Sequence, residues 1–522
     1  MSSFGAPAPP PDGPGVRRPV AVGPGPLSPA EVVAVARGEA PVELTAEAWA
    51  RIARGRAVVE DLAGRPEPHY GVSTGFGALA TTPVPAHDRA RLQRSVLRSH
   101  AAGAGPGIER EVVRAMMVLR LSTMATGHTG VRPQTARAVA ALLDAGITPH
   151  VPEFGSLGCS GDLAPLAHCA LALLGEGTVR DRDGVARPAA EALRAAGLEA
   201  ITPAEKEGLA LVNGTEGMLA MLVLATEDLD LLLAAADVVA AMSVEALLGT
   251  DAAFADDLQA LRPHPGARVT ARTLCRVLAG SGIMASHRDA SCTRVQDAYS
   301  LRCVPAVHGA ARDSLTHARL VARRELAAAI DNPVVTGDGR LCSTGTFHGA
   351  PLAHVLDLLA IVVADVAGMS ERRTDRHLDP ARNQGMPAFL ADRPGVDSGL
   401  MIAHYTQAAL VTELRRLAVP ASVDTIPVSA MQEDHVSLGW SSGRKLRRAL
   451  DELATVLGVE LLVAARSLDL RAPLRPAPAT AAVRAALRAE VAGPGPDRVV
   501  APEIEAAARF VRDGRPATVA EA

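Results

Sequence analysis

The sequence predicts a mainly α protein, with long antiparallel helices in a central bundle and a loop-rich N-terminal domain before it. Three observations lead there. Hydrophobic residues make up 48% of the chain but aromatics only 2%. The core must therefore be built from Ala, Leu and Val, and Ala and Leu are strong helix formers. From Lys445 to Leu468 apolar residues recur at steps of three and four, through Leu446, Leu450, Leu453, Leu457, Leu461, Ala464 and Leu468. Strand signals are few and short. With 522 residues the chain can bury a large core and support more than one domain.

The elements follow in order. Residues 1–27 are rich in Pro and Gly and read as a flexible tail. Order is expected from Ser28-Pro29-Ala30-Glu31, where Ser caps, Pro takes the first helical position and Glu completes a capping box. A second helix is predicted over about Thr45 to Ala63. A Gly-rich loop, HYGVSTGFGALA (His69 to Ala80), interrupts the pattern, and helical periodicity returns near His87. A second irregular stretch, HVPEFGSLGCSGDLAP (His150 to Pro165), precedes another helix. Thr202-Pro203-Ala204-Glu205 repeats the capping-box signature and is expected to open the more helical half. The domains are placed at 28–208 and 209–522. Pro-rich Ala472 to Ala479 and Gly493-Pro494-Gly495-Pro496 punctuate the C-terminal end.

The most apolar stretches, Met218 to Leu248 and Leu352 to Met369, are interrupted by Glu227, Asp228, Asp230, Asp237, Asp357 and Asp365. Carboxylates there argue for buried helices of a bundle and against a membrane span. A net charge of −4 without clustered basic excess excludes a nucleic-acid footprint. The six cysteines are scattered without a CxxC pair, which fits reduced thiols in the cytoplasm. No Walker loop, no HExxH and no Cys/His set with zinc spacing is present, so no metal is expected.

What remains is a set of Gly-rich or polar islands in a helical chain. GSLGCSGDLAPLAH (Gly155 to His168) contains Ser160-Gly161-Asp162 before Leu163, which reads on its own as a helix cap. It carries more Gly and Ser than a cap needs. At this island the sequence resembles the ammonia-lyases and aminomutases that carry a self-made methylidene-imidazolone group, MIO. The likeness extends from about Ser28 to Pro502 through further islands in the same order: YGVSTGFG, LALVNGTEG, RVQDAYSLRC, STGTFHG and SAMQEDHVSLG.

The resemblance implies that Cys159-Ser160-Gly161 cyclises. The Gly161 nitrogen attacks the Cys159 carbonyl, and Ser160 loses water to leave an exocyclic methylene. Gly at the third position lets its nitrogen approach closely, and only a serine-like side chain can eliminate. Family members usually have Ala first, so Cys159 is a departure, read as tolerated because that residue gives its carbonyl to the ring and keeps a side chain that can vary. No external cofactor is implied.

By the same resemblance Tyr70 is the catalytic base that takes the β-proton. Arg302 grips the substrate carboxylate. Asn213 and Tyr299 support MIO and the charge that develops on it. Gln296 and Phe347 line the substrate pocket. His100, after Ser99, and Glu433, in QEDHVS, select the substrate. A carboxylate can bond an imidazole N–H, so this pair implies L-histidine, with urocanate and ammonia as products. The alternatives are a tyrosine or phenylalanine ammonia-lyase, a 2,3-aminomutase with the same MIO, and an inactive structural relative. Thr346, His404 and Met431 also depart from the family pattern and leave room for shifted specificity. A small-molecule amino acid is the only expected ligand. The resemblance implies a homotetramer whose active sites draw on several subunits.

Overall fold

The computed structural model describes residues 18–159, 161–288 and 295–522, apart from the side chain of Ala78. Ser160 and Cys292 lie outside the described residues. The chain forms two compact units, each discontinuous in sequence. One contains the described residues up to Gly155 with Leu163–Glu216 and Leu326–Phe347. The other contains Ser156–Asp162, Gly217–Glu325 and His348–Ala522. The structure therefore replaces the single boundary expected at 208/209. The Cys159 island, expected in the N-terminal domain, belongs to the second unit, and the reason is the set of hydrogen bonds described below.

The first unit opens with β1 (Val20–Val22), parallel to β2 (Val42–Leu44) in the register Val20↔Val42. The end of the expected flexible tail is thus ordered. Val20 and Val22 are buried on one face while Ala21 stays exposed, the period-two pattern of a half-buried strand. Helix α1 (Pro29–Ala36) has the predicted capping box: the Glu31 amide donates to Ser28 Oγ, and the Ser28 amide donates to the Glu31 carboxylate at 2.7 Å. Helix α2 (Ala46–Ala63) lies where a helix is expected, and Thr45 caps it. Next come α3 (Arg89–His100), β3 (Ala104–Gly107), α4 (Arg110–Ala125) and α5 (Pro133–Asp144). Strands β4 (Thr148–Pro149) and β5 (Pro152–Phe154) precede α6 (Leu163–Leu173), β6 (Thr178–Arg180), β7 (Ala186–Pro188), α7 (Ala189–Ala195) and α8 (Glu207–Val212). β3 pairs with β5, and β4, β6 and β7 form a small antiparallel sheet. A hairpin of β8 (Val334–Val335) and β9 (Leu341–Cys342) completes the unit. Its core is α4, buried along nearly its whole length, with α1 and α5 packed on it; α3, α6 and α8 pack on one another.

The second predicted capping box does not start a helix at Thr202. Helix α8 begins at Glu207, after Lys206 in a left-handed conformation (φ 68°). Tertiary partners override the local signal here. Glu207 is fully buried and accepts from the Ala204 amide, the Arg132 amide and guanidinium, and Thr135 Oγ1. The Lys206 ammonium is buried against Asp331 at 2.7 Å.

The second unit is a helical bundle: α9 (Glu216–Ala246), α10 (Asp256–Ala260), α11 (Pro265–Leu278), α12 (Gly282–Ala285), α13 (Tyr299–Arg302), α14 (Val304–Leu326), α15 (Ala350–Leu378), α16 (Met401–Leu417), α17 (Gly439–Leu470), α18 (Pro478–Arg488), α19 (Ala501–Arg512) and α20 (Arg515–Glu521). Polar pairs fix the directions. Asp237 on α9 meets His308 and Arg312, while Asp230 meets Arg319, so α9 and α14 run antiparallel. On α15, Glu371 meets His404 near the start of α16, and Asp357 accepts from the Ala421 amide just past its end, so these two are antiparallel as well. Asp357 also meets Lys445, and Arg373 meets Glu460, so α15 and α17 share a direction. The expected bundle of long helices is observed, with antiparallel and parallel neighbours in it. α15 is long and apolar enough to cross a bilayer, but its inward face is committed to the bundle. Its Arg373 is fully buried with Glu460, and Glu460 also accepts from Ser243 on α9. Removing one partner of such a pair is destabilising by roughly 3–5 kcal/mol, because the other charge is left buried.

His404, where the family pattern has Gln, acquires a reason. Its Nε2 lies 2.6 Å from Glu371 Oε1, and Arg372 bonds the same carboxylate. Burial pushes the Glu371 carboxyl up, but the His404 and Arg372 bonds outweigh it and bring it from 4.5 down to about 2. A depressed folded-state value stabilises the protein above pH 4.5, and that contribution is lost as pH falls towards 2. In Glu371→Gln the acid limb of unfolding should be shallower by up to about 1.4 kcal/mol per pH unit in that window. Urea unfolding followed across the acid range checks this; an unchanged limb would mean that the carboxylate is not held ionised by these partners.

Candidate active site

In the first unit Tyr70 sits in the irregular loop between α2 and α3. Its Oη accepts from the Gly77 amide at 3.2 Å, and its ring meets Phe76 edge to face at 6.4 Å between centroids. Gly71 beside it has φ +78°, and a Cβ there would come within 3.0 Å of Leu209 and 3.2 Å of Pro333. A side chain at this position would collide, so the loop needs glycine. His100 ends α3, with Nδ1 3.1 Å from Ser99 Oγ.

Asn213 follows α8. Its Nδ2 donates to the Asn332 carbonyl at 2.9 Å, and its own carbonyl accepts from Arg120. Arg120 is buried with Glu216 at 2.8 Å and also bonds the Ala210 carbonyl. The cation thus ties both ends of the LALVNGTEG segment. Asn213 Oδ1 is buried and has no partner among the described residues. Phe347 closes the first unit in the loop after β9, where Thr344 and Thr346 share a hydrogen bond at 2.8 Å.

The second unit holds the remaining candidates. The Cys159 island is tied to its own unit at several points. Ser156 Oγ donates to Asp162 at 2.9 Å and accepts from the Gly158 amide, and Asp162 accepts from the Met218 amide at the start of α9. The Leu157 carbonyl accepts from the Leu438 amide at 2.8 Å, and the Gly158 carbonyl accepts from Ser437 Oγ at 2.9 Å and from the Gly349 amide. Gly158 and Gly161, on either side of the undescribed Ser160, are left-handed at φ +69° and +79°. A Cβ on Gly158 would stand 2.2 Å from Ser437 Oγ. Gly158→Ala should therefore cost roughly 1–2 kcal/mol for the left-handed backbone alone, with the displacement of Ser437 in addition. A lower urea midpoint at unchanged slope is the expected result, and a wild-type midpoint would show that this clamp is dispensable.

Glu433 is presented by a tight hairpin. The Val428 and Glu433 amides donate to each other's carbonyls at 3.0 and 3.3 Å, and Ser429, Ala430 and Met431 between them all have positive φ. Three non-glycine residues in that region store strain, a feature typical of functional loops. Glu433 Oε2 accepts from the Cys159 thiol at 2.8 Å. Burial first, then the hydrogen bond and charge of Glu433, push the thiol's pKa up, so at neutral pH it is the donor. Beyond Glu433, the His348 and His435 rings stack at 5.6 Å, and His348 Nε2 lies 3.1 Å from the His435 carbonyl.

Helix α13 places Tyr299 and Arg302 three residues apart on one face, with the guanidinium 5.0 Å from the ring centroid. Tyr299 is 72% exposed, and Arg302 Nε is buried without a partner among the described residues. Gln296 lines a cleft with Leu248, Asp251, Met284, His287 and Asp297.

The structure thus brings together Cys159 with Glu433 and Tyr299 with Arg302. Tyr70 bonds the Gly77 amide and the Asn213 side chain bonds the Asn332 carbonyl, each within the first unit. The Cys159–Glu433 bond was not legible beforehand, because 274 residues separate the two. No group of three His, Cys, Asp or Glu able to hold a metal occurs among the described residues.

The family profile for aromatic amino acid lyases matches residues 27–489. The chain belongs to the aromatic amino acid lyase family. Within it, the chain is 59% identical over 503 residues to the histidine ammonia-lyase of Streptomyces avermitilis, covering 96% of this chain and 98% of that one. It is 62% identical over 488 residues to the histidine ammonia-lyase of Streptomyces griseus, covering 93% and 95%. Among solved structures, the tyrosine aminomutase of Streptomyces globisporus superposes with a TM-score of 0.91 at 36% identity, covering 96% of this chain and 98% of that one. The helical fold is thus shared with an aminomutase. The island at Gly155 to His168 and the other five islands fall inside the matched span.

Proposed function

We propose that this chain is a histidine ammonia-lyase, converting L-histidine to trans-urocanate and ammonia with an MIO group made from Cys159-Ser160-Gly161. The observation that carries the substrate is the pairing of near 60% identity to histidine ammonia-lyases with a carboxylate at Glu433, whose bond to Cys159 ties it to the island. The residues present fit the group. Left-handed Gly158 and Gly161 bracket Ser160, and the island is clamped by Ser437, Leu438, Gly349 and Met218. Cys159, Ser160 and Gly161 would form it, and it would supply an electrophile that no ordinary side chain offers.

The reaction breaks the Cα–N bond and one Cβ–H bond and forms Cα=Cβ. The β-proton is weakly acidic, so a positioned base is needed, and Tyr70 takes that role. Arg302, with Nε unspent, holds the substrate carboxylate as a two-pronged donor. Glu433 accepts from an imidazole N–H, and His100 and Gln296 supply further polar contacts, with Phe347 as an apolar wall. Asn213 and Tyr299 stand as polar groups for the charge that develops. The exposure of Tyr299 in a single chain fits a homotetramer whose sites draw on several subunits, in the cytoplasm and without an external cofactor.

Parallel incubation with L-histidine, L-tyrosine and L-phenylalanine, with identification of every product, tests this reading. Urocanate and ammonia from histidine alone are expected. Coumarate or β-tyrosine would overturn the substrate and move the chain to the tyrosine-specific or aminomutase branch.

A further inference from the structure

The first residue of the cyclising tripeptide contributes its carbonyl and keeps its side chain, so by sequence any small residue serves there. The structure gives Cys159 more than that. The residue is buried, 8% exposed, and its thiol donates to Glu433 Oε2 at 2.8 Å. No other side-chain hydrogen bond of Glu433 is found among the described residues. The backbone that carries Glu433 is a strained left-handed hairpin at Ser429, Ala430 and Met431, with Met431 66% exposed. Such a hairpin leaves a long carboxylate side chain with several rotamers unless a partner fixes one. A methyl at position 159 could fill the space but could not donate.

We propose that Cys159 is a positioning residue for substrate recognition: its thiol holds the Glu433 carboxylate in one orientation, leaving the other oxygen for the substrate's ring N–H. This rests on the reading of Glu433 given above. The division of labour is simple. The backbone of Cys159 builds the group, and its side chain aims the residue that chooses the substrate. Two functions that look separate in the chain are thus joined at one residue. The thiol suits the task because it stays protonated: burial and the adjacent carboxylate both oppose the thiolate.

The test uses the full-length protein with Cys159→Ala, Cys159→Ser and Glu433→Gln. The first readout is independent of turnover. The S–H stretching band of Cys159, isolated as the infrared difference between wild type and Cys159→Ala, should be broadened and lowered by a bond to a carboxylate, and should move up in Glu433→Gln. The second readout is kinetic. Cys159→Ala should raise KM for histidine about fivefold, the scale of one modest hydrogen bond, with the rise in KM exceeding any fall in kcat. Cys159→Ser, which restores a donor, should recover most of it. An S–H band that does not respond to Glu433→Gln overturns the proposal. So does a Cys159→Ala protein whose KM is that of wild type while Glu433→Gln raises it. If Glu433→Gln itself leaves KM unchanged, the reading of Glu433 fails first and the proposal falls with it. A loss confined to kcat, with the near-ultraviolet absorbance of the group gone, would place Cys159 in cyclisation instead and also overturn it.

Discussion

Ser160→Ala should yield a folded protein whose ammonia release is at least about a thousandfold slower, the scale lost when a principal transition-state contributor is removed. The argument is chemical. Formation of the group needs a leaving hydroxyl on the β-carbon of the central residue, and alanine has none. The clamps on the flanking residues run through other groups. Gly158 and Gly161 keep their left-handed turns, Ser437 and Leu438 still hold the Gly158 and Leu157 carbonyls, and Asp162 still accepts from Met218. The unfolding midpoint should therefore stay near that of wild type. Intact mass separates the causes: the wild-type island should be lighter by two waters, one from cyclisation and one from dehydration, and the variant should carry both. A variant that keeps activity would remove MIO from the mechanism altogether.

Tyr70→Phe should lower kcat by about 10²- to 10⁴-fold, the usual contribution of a general base, with a much smaller change in KM. The substitution deletes one oxygen and keeps the ring, so the edge-to-face contact with Phe76 survives. The Gly77 amide loses its acceptor, but it lies in an exposed part of the loop where water can replace the phenol. The stability change should stay within about 0.5 kcal/mol. The group on Cys159-Ser160-Gly161 should form as in wild type, since Tyr70 lies outside the tripeptide, and its absorbance provides that control. A fall of less than about fivefold would assign the proton transfer to another residue.

The two variants separate what the chain builds from what it does. One removes the electrophile and leaves the base, and the other does the reverse. Equal losses in both, without additivity in the double variant, are expected for residues that act as a unit.

Much of this protein was legible in its sequence. The helical class followed from a core of Ala, Leu and Val, and the periodicity at Lys445 to Leu468 falls inside α17. The caps at Ser28 and Thr45 act through side chains a few residues away, so their outcome depends on short-range chemistry alone. The Tyr70 and Cys159 stretches stood out as irregular breaks in a helical chain, and the resemblance to the MIO enzymes pointed to Asn213, Tyr299 and Glu433. Tertiary structure decided the rest. It ended the expected tail early by giving Val20 and Val22 a strand partner, and it cancelled the Thr202 cap by burying Glu207 against Arg132 and Thr135. It gave His404 its carboxylate in Glu371. It drew the Cys159 island into the unit of the long helices and set its thiol on Glu433. The physical reason is the same in each case. Periodicity and capping depend on neighbours within one or two helical turns, whereas a buried carboxylate or a strained hairpin is settled by partners that the chain brings back from hundreds of residues away.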